Sequence, residues 1–191
     1  MNFKNAAYRS VVIICIILLS LLVGYLCQLI GHRIDLKNHP REYTEYVEKY
    51  CAEYGVPEYL VYSIILEESN FTSNKLSPDG EIGLMQIHPD TFRWLTSLTK
   101  ENLESGILYD PETNIRYGTF MLSQLYIQHS RWKTVLAVYD AGRDTVNEWL
   151  ELGKWSDENG NLVTIPDDST AEYVETIEKQ METYRKLYYN D

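Results

Sequence analysis

Residues 65–87 read ILEESNFTSNKLSPDGEIGLMQI. The apolar run YLVYSIIL, residues 59–66, leads into two adjacent carboxylates, Glu67 and Glu68. A polar, glycine-containing turn follows, and a short apolar strip then ends at Gln86. A carboxyl group delivered by an apolar helix is a candidate general acid. Apolar neighbours penalise its charged form, so it can hold its proton near neutral pH. Helical rotation of about 100° per residue separates the two glutamates. Ile64, Ile65, Glu68 and Phe71 fall close to one face, which makes Glu68 the inward carboxylate. Two glutamates ending a surface helix would read the same way on composition alone. Two features favour a site. The turn SPDGEIG lets the backbone approach a ligand. A second apolar helix ends in AVYDAG, offering Tyr139 and Asp140.

Outward from this window, the periodicity predicts helices and little else. TEYVEKYCAEY, residues 44–54, puts Tyr46, Val47, Tyr50, Cys51 and Tyr54 on one face before Gly55. Pro57 suits the first turn of a helix over 57–69. Pro89 can start another. Residues 96–110 look irregular. Asp110 is a good N-cap and Pro111 a good first residue for the next helix. A further helix covers 131–139, Thr145 is a candidate cap for a short one, and the last runs from about 169 to 188. Residues 153–167 read as a loop, with a small hairpin around Asn159–Gly160. The expected architecture is one mainly α domain over residues 44–191.

Residues 10–31 carry no charge, and a helix of that length can cross a hydrocarbon core of roughly 30 Å. Lys4 and Arg9 precede the run. Residues 1–9 are therefore expected as a cytoplasmic tail, 10–31 as a transmembrane anchor and 32–43 as a polar stalk. A cleaved signal peptide is the rival reading, but the run is long and lacks an A-x-A site. A bacterial membrane protein of single-pass topology, with its domain outside the cytoplasm, is expected.

Charge excludes one class of partner. Formal net charge is −11, and beyond the apolar run 15 basic face 28 acidic residues. Nucleic acid is not an expected partner, since phosphate binding wants a basic patch. Cys15 and Cys27 lie in the expected anchor and Cys51 stands alone outside it. No disulfide, zinc site or redox pair is expected within the domain, and no metal or cofactor.

Glu68-Ser69, Phe71, Ser77, Gly80, GLMQ at 83–86, Pro89 and Thr91 together resemble the signature of lytic transglycosylases of the soluble-transglycosylase (SLT) class. The resemblance continues through Pro111, Asn114, Gly118 and AVYDAG at 137–142, and closes with Ile165-Pro166 and Tyr173-Val174. It spans about residues 45–188. It implies a goose-type-lysozyme-like helical domain with a long groove for a sugar chain. It also implies roles. Glu68 matches the single catalytic glutamate, and Ser77 the serine hydrogen-bonded to it. Met85 and Gln86 match groups lining the glycan and peptide cleft. Tyr139 and Tyr173 match two active-site tyrosines. Asp140 stands where the family usually has asparagine. It can lie near Glu68 and raise its pKa, or cap the following turn, with the cap favoured. Ala171 stands where the family usually has arginine.

The implied activity is cleavage of the β-1,4 bond between N-acetylmuramic acid and N-acetylglucosamine in peptidoglycan, ending in a 1,6-anhydro ring. A muramidase acting on the same bond, or an inactive wall-binding module, are the alternatives. Asp79 and Glu81 in the turn are the candidates for a second carboxylate. Of the tryptophans, Trp155 is expected at the groove and Trp132 and Trp149 in the core. An anchored enzyme suits local wall opening for a membrane-spanning secretion or conjugation machine, though no residue names such a partner.

Overall fold

The computed structural model describes residues 3–158 and 161–189. The side chains of Lys4, Arg9 and Cys15, and the expected hairpin tip at Asn159–Gly160, lie outside the described residues. Two compact units divide at Pro40–Arg41.

The first unit is a single helix, α1 (Phe3–Asn38). Its described side chains from Val12 to Leu36 are exposed, and no apolar stripe alternates with a polar one. A helix apolar on all sides needs an apolar environment on all sides. Its stretch Ile16–Asn38 is long and apolar enough to cross a membrane. Residues 32–38, expected as part of a stalk, continue this helix.

The second unit holds α2 (Thr44–Tyr54), α3 (Glu58–Ser69), α4 (Pro89–Thr99), a 3-10 helix (Ser105–Tyr109), α5 (Pro111–His129), α6 (Trp132–Ala141), α7 (Arg143–Glu151) and α8 (Asp168–Tyr188). Among the described residues the only β pairing is in isolated bridges. Local chemistry sets the helix ends. Asp110 accepts the Thr113 amide at 2.9 Å with Pro111 behind it, and Asp167 accepts that of Thr170 at 2.8 Å. Gly55, at φ 69°, closes α2. Thr145 is not a cap. α7 begins two residues earlier, directly after Gly142, whose φ of 85° turns the chain without a side-chain bond. The region expected to be irregular is helical at both ends, as α4 and as the 3-10 turn.

Three packings make the core. α3 lies along α8, α2 lies on α5, and α6 bridges α5, α7 and α8. α3 is buried around most of its circumference, from Leu60 through Ile65. Tyr62 of α3 stacks on Tyr184 of α8, with ring centroids 5.6 Å apart. Arg41 joins the two ends of this unit. Its guanidinium lies 5.3–5.4 Å from the rings of Tyr62, Tyr188 and Tyr189 and pairs with Glu58 at 3.3 Å.

Asn114 of α5 is fully buried and organises the strip 82–87. Its Oδ1 accepts the Met85 amide, and its Nδ2 donates to the carbonyls of Ile82 and Leu108, all at 2.8 Å. Gly83 has φ 82°, and a Cβ there would sit 2.2 Å from the Asn114 amide. Gly118 makes the same allowance one turn on, since a Cβ would meet the Met85 sulfur at 2.3 Å. Asn114→Ala strands two buried backbone groups, the Met85 amide and the Leu108 carbonyl, each at about 1–3 kcal/mol, while the Ile82 carbonyl keeps the Ile87 amide. The expected loss is about 3 kcal/mol or more, read as a fall in the denaturant midpoint of the full-length chain in detergent at unchanged m-value.

Candidate active site

Glu68 sits in the last turn of α3. The chain then bends through two consecutive left-handed residues, Asn70 (φ 47°) and Phe71 (φ 60°). Such a conformation is uncommon for a bulky aromatic and is tolerated where packing dictates it; Phe71 is buried, its ring 6.5 Å from that of Tyr62. The bend frees the end of α3 from a continuing helix, and α8 covers it instead. Tyr173 of α8 donates to Glu68 Oε1 at 2.7 Å. Glu67 points elsewhere, as rotation requires, and accepts from Gln180 of α8 at 2.8 Å in an exposed setting.

The turn after the bend folds back on itself. Ser77 Oγ accepts the Glu81 amide at 3.0 Å, and the Gly80 amide donates to the Ser77 carbonyl at 3.0 Å. The Lys75 ammonium donates to the Glu68 carbonyl. The Lys75 carbonyl accepts from the Gly83 amide at 2.9 Å and from Gln86 Nε2 at 3.4 Å. Gln86 itself has φ 45° and spends its amide mainly on the Gly83 carbonyl, at 2.7 Å. Left-handed residues thus mark both the bend after Glu68 and the strip that follows.

Burial, first of all, pushes the Glu68 carboxyl up to about 7. The Tyr173 hydroxyl opposes this by stabilising the carboxylate, the charges of Glu81 and Asp140 add to the rise, and Lys75 subtracts from it. Burial and the Glu68 charge hold the hydroxyls of Tyr139 and Tyr173 well above the usual tyrosine range. Both remain neutral donors. Tyr139 donates to the Met85 carbonyl, so it braces the strip that Asn114 holds from the other side.

Several residues expected at the site hold its backbone in this structure. The bond the Ser77 hydroxyl makes is not to Glu68: its oxygen accepts the Glu81 amide and closes its own turn. Met85 lines no cleft through its side chain, which is fully buried in the space left by Gly118. Gln86 is 5% exposed, its amide tied into the turn. Asp140 caps nothing, since the α6–α7 junction carries no side-chain cap, and its charge is felt at Glu68 instead. Of the two turn acids, Glu81 acts on Glu68. Lys75 was missed; nothing marks a lysine in a polar turn as special.

A cleft of about 310 Å³ opens on the other side of Tyr139, walled by Trp94, Met121, Leu125, Val138 and Arg143. The Arg143 guanidinium lies 4.3 Å from the centre of the Trp94 ring. Trp94 is therefore the tryptophan lining this cleft. Trp155 instead packs partly on the core. Trp132 is half-buried and stacks on Tyr126 at 4.2 Å. Among the described residues no group of three His, Cys, Asp or Glu side chains is placed to hold a metal ion.

Residues 45–161 match the family described as the transglycosylase SLT domain. The chain belongs to that family. Its SLT domain is 32% identical over 143 residues to the soluble lytic murein transglycosylase of Escherichia coli K12. It is 34% identical over 132 residues to membrane-bound lytic murein transglycosylase C of Yersinia pestis. These alignments take in 72% and 62% of this chain but 22% and 36% of the relatives' lengths. The fold matches the 70-kDa soluble lytic transglycosylase in complex with bulgecin A, with a TM-score of 0.74 and 28% identity over 82% of this chain and 26% of that one. An inactive mutant of lytic transglycosylase Slt from Pseudomonas aeruginosa matches with a TM-score of 0.69 and 27% identity, over 78% and 25% of the two chains. The mainly α, lysozyme-like architecture is that of the SLT class. Tyr173 lies beyond the matched residues of the family description, on the helix that closes the site.

The raised Glu68 carboxyl makes stability depend on pH with a definite sign. Its folded pKa, about 7, lies above the usual 4.5. The contribution of the neutral form is full below about pH 4.5 and is lost as pH rises through 7, by roughly 3 kcal/mol. Glu68→Gln, neutral throughout, should be more stable than the parent at pH 8.5 by that amount and level with it at pH 4. Denaturant unfolding of both full-length chains at the two pH values checks this. A constant gap would mean that Glu68 does not titrate as described.

Proposed function

We propose that this chain is a peptidoglycan lytic transglycosylase. It cleaves the β-1,4 bond between N-acetylmuramic acid and N-acetylglucosamine without consuming water. The observation that carries the reading is Glu68: one carboxyl in a protein-lined site, held near pH 7 and oriented by a tyrosine from α8. The names of the relatives, lytic murein transglycosylases, support the substrate class.

The proposed chemistry uses the same group twice. Neutral Glu68 gives its proton to the glycosidic oxygen, and the bond from that oxygen to the muramoyl anomeric carbon breaks. The substrate's own acetamido group assists at that carbon. Glu68, now ionised, takes the proton of the muramoyl 6-hydroxyl. That oxygen attacks the anomeric carbon and closes the 1,6-anhydro ring, which returns Glu68 to its starting state. A carboxyl with a pKa near the working pH serves both steps. Tyr173 fixes the carboxyl's direction, while Tyr139 and Asn114 fix the strip beside it.

Hydrolysis is the second reading, because Glu81 and Asp140 lie close enough to influence Glu68. A hydrolase would use one of them to activate water or as a nucleophile. The products decide. Mass spectrometry of digested sacculi should find ends lighter by one water, about 18 mass units, than reducing ends. Glu68→Gln should lower release at least about 10²-fold with the helical circular dichroism spectrum unchanged. Reducing ends alone would replace the transglycosylase with a muramidase.

In the proposed arrangement α1 anchors the protein in a bacterial membrane by a single pass, with Lys4 and Arg9 on the cytoplasmic side and residues 41–191 outside. Wall opening for a secretion or conjugation machine is a use that fits an anchored enzyme, and the anchor is all that supports it. Protease added to cells stripped of their wall should digest the domain without lysis. Complete protection until lysis would overturn the topology.

A further inference from the structure

We infer that Lys75 is a positioning residue for the acid of the site: its ammonium ties the polar turn back onto the last turn of α3 and brings a positive charge to Glu68. This rests on the proposed use of Glu68 as the proton donor.

The backbone comes first. The last carbonyls of a helix have no partner within it. At the end of α3 the bend supplies some of these partners. The Asn70 amide lies on the carbonyls of Ile65 and Leu66, and the Thr72 amide donates to that of Ser69 at 3.0 Å. The Glu68 carbonyl takes the Lys75 ammonium instead. A cation in that place also meets the negative end of the helix dipole. Main-chain bonds set its reach. The Lys75 amide donates to the Thr72 carbonyl at 3.2 Å, and the Lys75 carbonyl holds Gly83 and Gln86. One residue therefore joins two parts of the site. Its backbone grips the strip ordered by Asn114, and its side chain grips the residue that carries the acid.

Charge then gives the tie a chemical consequence. The groups facing Glu68 come from three elements. The turn supplies Glu81 and Lys75, and the end of α6 supplies Asp140 and the neutral hydroxyl of Tyr139. From α8 comes the neutral hydroxyl of Tyr173, on Oε1. The neighbouring Glu67 is turned away to Gln180. Glu81 and Asp140 make the carboxylate harder to form, and Lys75 opposes them. Its ammonium sits on a neutral carbonyl, so the positive charge is not cancelled by the group that holds it. The side chain is exposed, so water and salt screen that charge and its effect is modest. In the proposed sequence Lys75 favours the first step, in which Glu68 gives up its proton. The two acids favour the proton's return.

The test follows the carboxyl itself. The full-length chain in detergent is isotopically labelled at the glutamate side-chain carboxyls, and the carbon resonance of Glu68 is the one that Glu68→Gln removes. Lys75→Met should raise its titration midpoint by about 0.5 pH unit, a gain of about threefold in proton affinity. Lys75→Gln, uncharged but still able to donate to the carbonyl, should do the same. Lys75→Arg keeps the charge and should return the midpoint to within about 0.2 unit of the parent. In fragment release from sacculi, the pH above which kcat/KM falls should move upward by the same amount in the two uncharged variants. A purely structural tie would lower release at every pH and leave the midpoint in place. That result, or a midpoint that Lys75→Arg fails to restore, would overturn the inference. Shifted midpoints in a chain whose parent releases no fragments would instead retire the proposed activity and leave the hold of Lys75 on Glu68 standing.

Discussion

The site depends on a side chain that never touches it. Asn114, itself fully buried, supplies one acceptor and two donors to three backbone groups. Two of those groups belong to a strip too short and too bent to satisfy them within a sheet, and the third is the Leu108 carbonyl of the 3-10 helix. An apolar residue of similar size would leave the Met85 amide and the Leu108 carbonyl unpaired, and a buried unpaired amide costs more than a good contact returns. Gly83 and Gly118 follow from the same requirement, because each gives up a side chain so that Asn114 and Met85 can sit where they do. With the strip fixed, the Met85 carbonyl becomes a firm acceptor for Tyr139. The tyrosine then stands as a wall shared by two spaces.

The electrostatics of Glu68 build on that rigidity. A carboxyl in the last turn of a helix faces the negative end of the helix dipole, and this one is also surrounded by protein. Two further acids add their charge. Against these stand the Tyr173 hydroxyl and Lys75, whose ammonium is tied to the Glu68 carbonyl. The balance leaves the proton loosely held near neutral pH. The same balance disfavours the folded state whenever the group ionises, so the site is held together by the α3–α8 packing that surrounds it, Tyr62 on Tyr184 included.

Helices were legible because their signals are local. Gly55, Pro89, Asp110 and Pro111 mark ends by backbone chemistry that needs no tertiary context. Thr145 failed as a cap for the opposite reason: Gly142 already turns the chain, and a glycine at φ 85° needs no side-chain help. At the site, Glu68 was legible from helical phase, and the pairing of Tyr173 with it became legible only through family resemblance, since 105 residues separate them. Ser77, Met85 and Gln86 belong to a conspicuous motif, but a motif does not say which of its residues face the ligand and which hold the others. Here Met85 and Gln86 are buried, Met85 acting through its carbonyl and Gln86 through a side-chain amide tied into the turn. Trp94 and Arg143 carried no signal because their meeting joins α4 to α7 across the fold.

Asp140 shows how one departure can work within the proposed mechanism. While Glu68 is neutral, a nearby carboxylate costs it little. Once Glu68 has given up its proton, the two acids repel each other, with Asp140 acting from the exposed end of α6. That repulsion does nothing for substrate binding and makes proton return more favourable. In the proposed sequence the second step is the one in which Glu68 must take a proton, from the muramoyl 6-hydroxyl. An asparagine in that position would supply a donor and no repulsion. The aspartate therefore shifts effort from stabilising the ionised acid to strengthening it as a base. Glu81, in the turn itself, acts in the same sense. An acidic surround of this kind is tolerable only for a substrate whose reacting groups are uncharged, and a glycosidic oxygen and a sugar hydroxyl meet that condition.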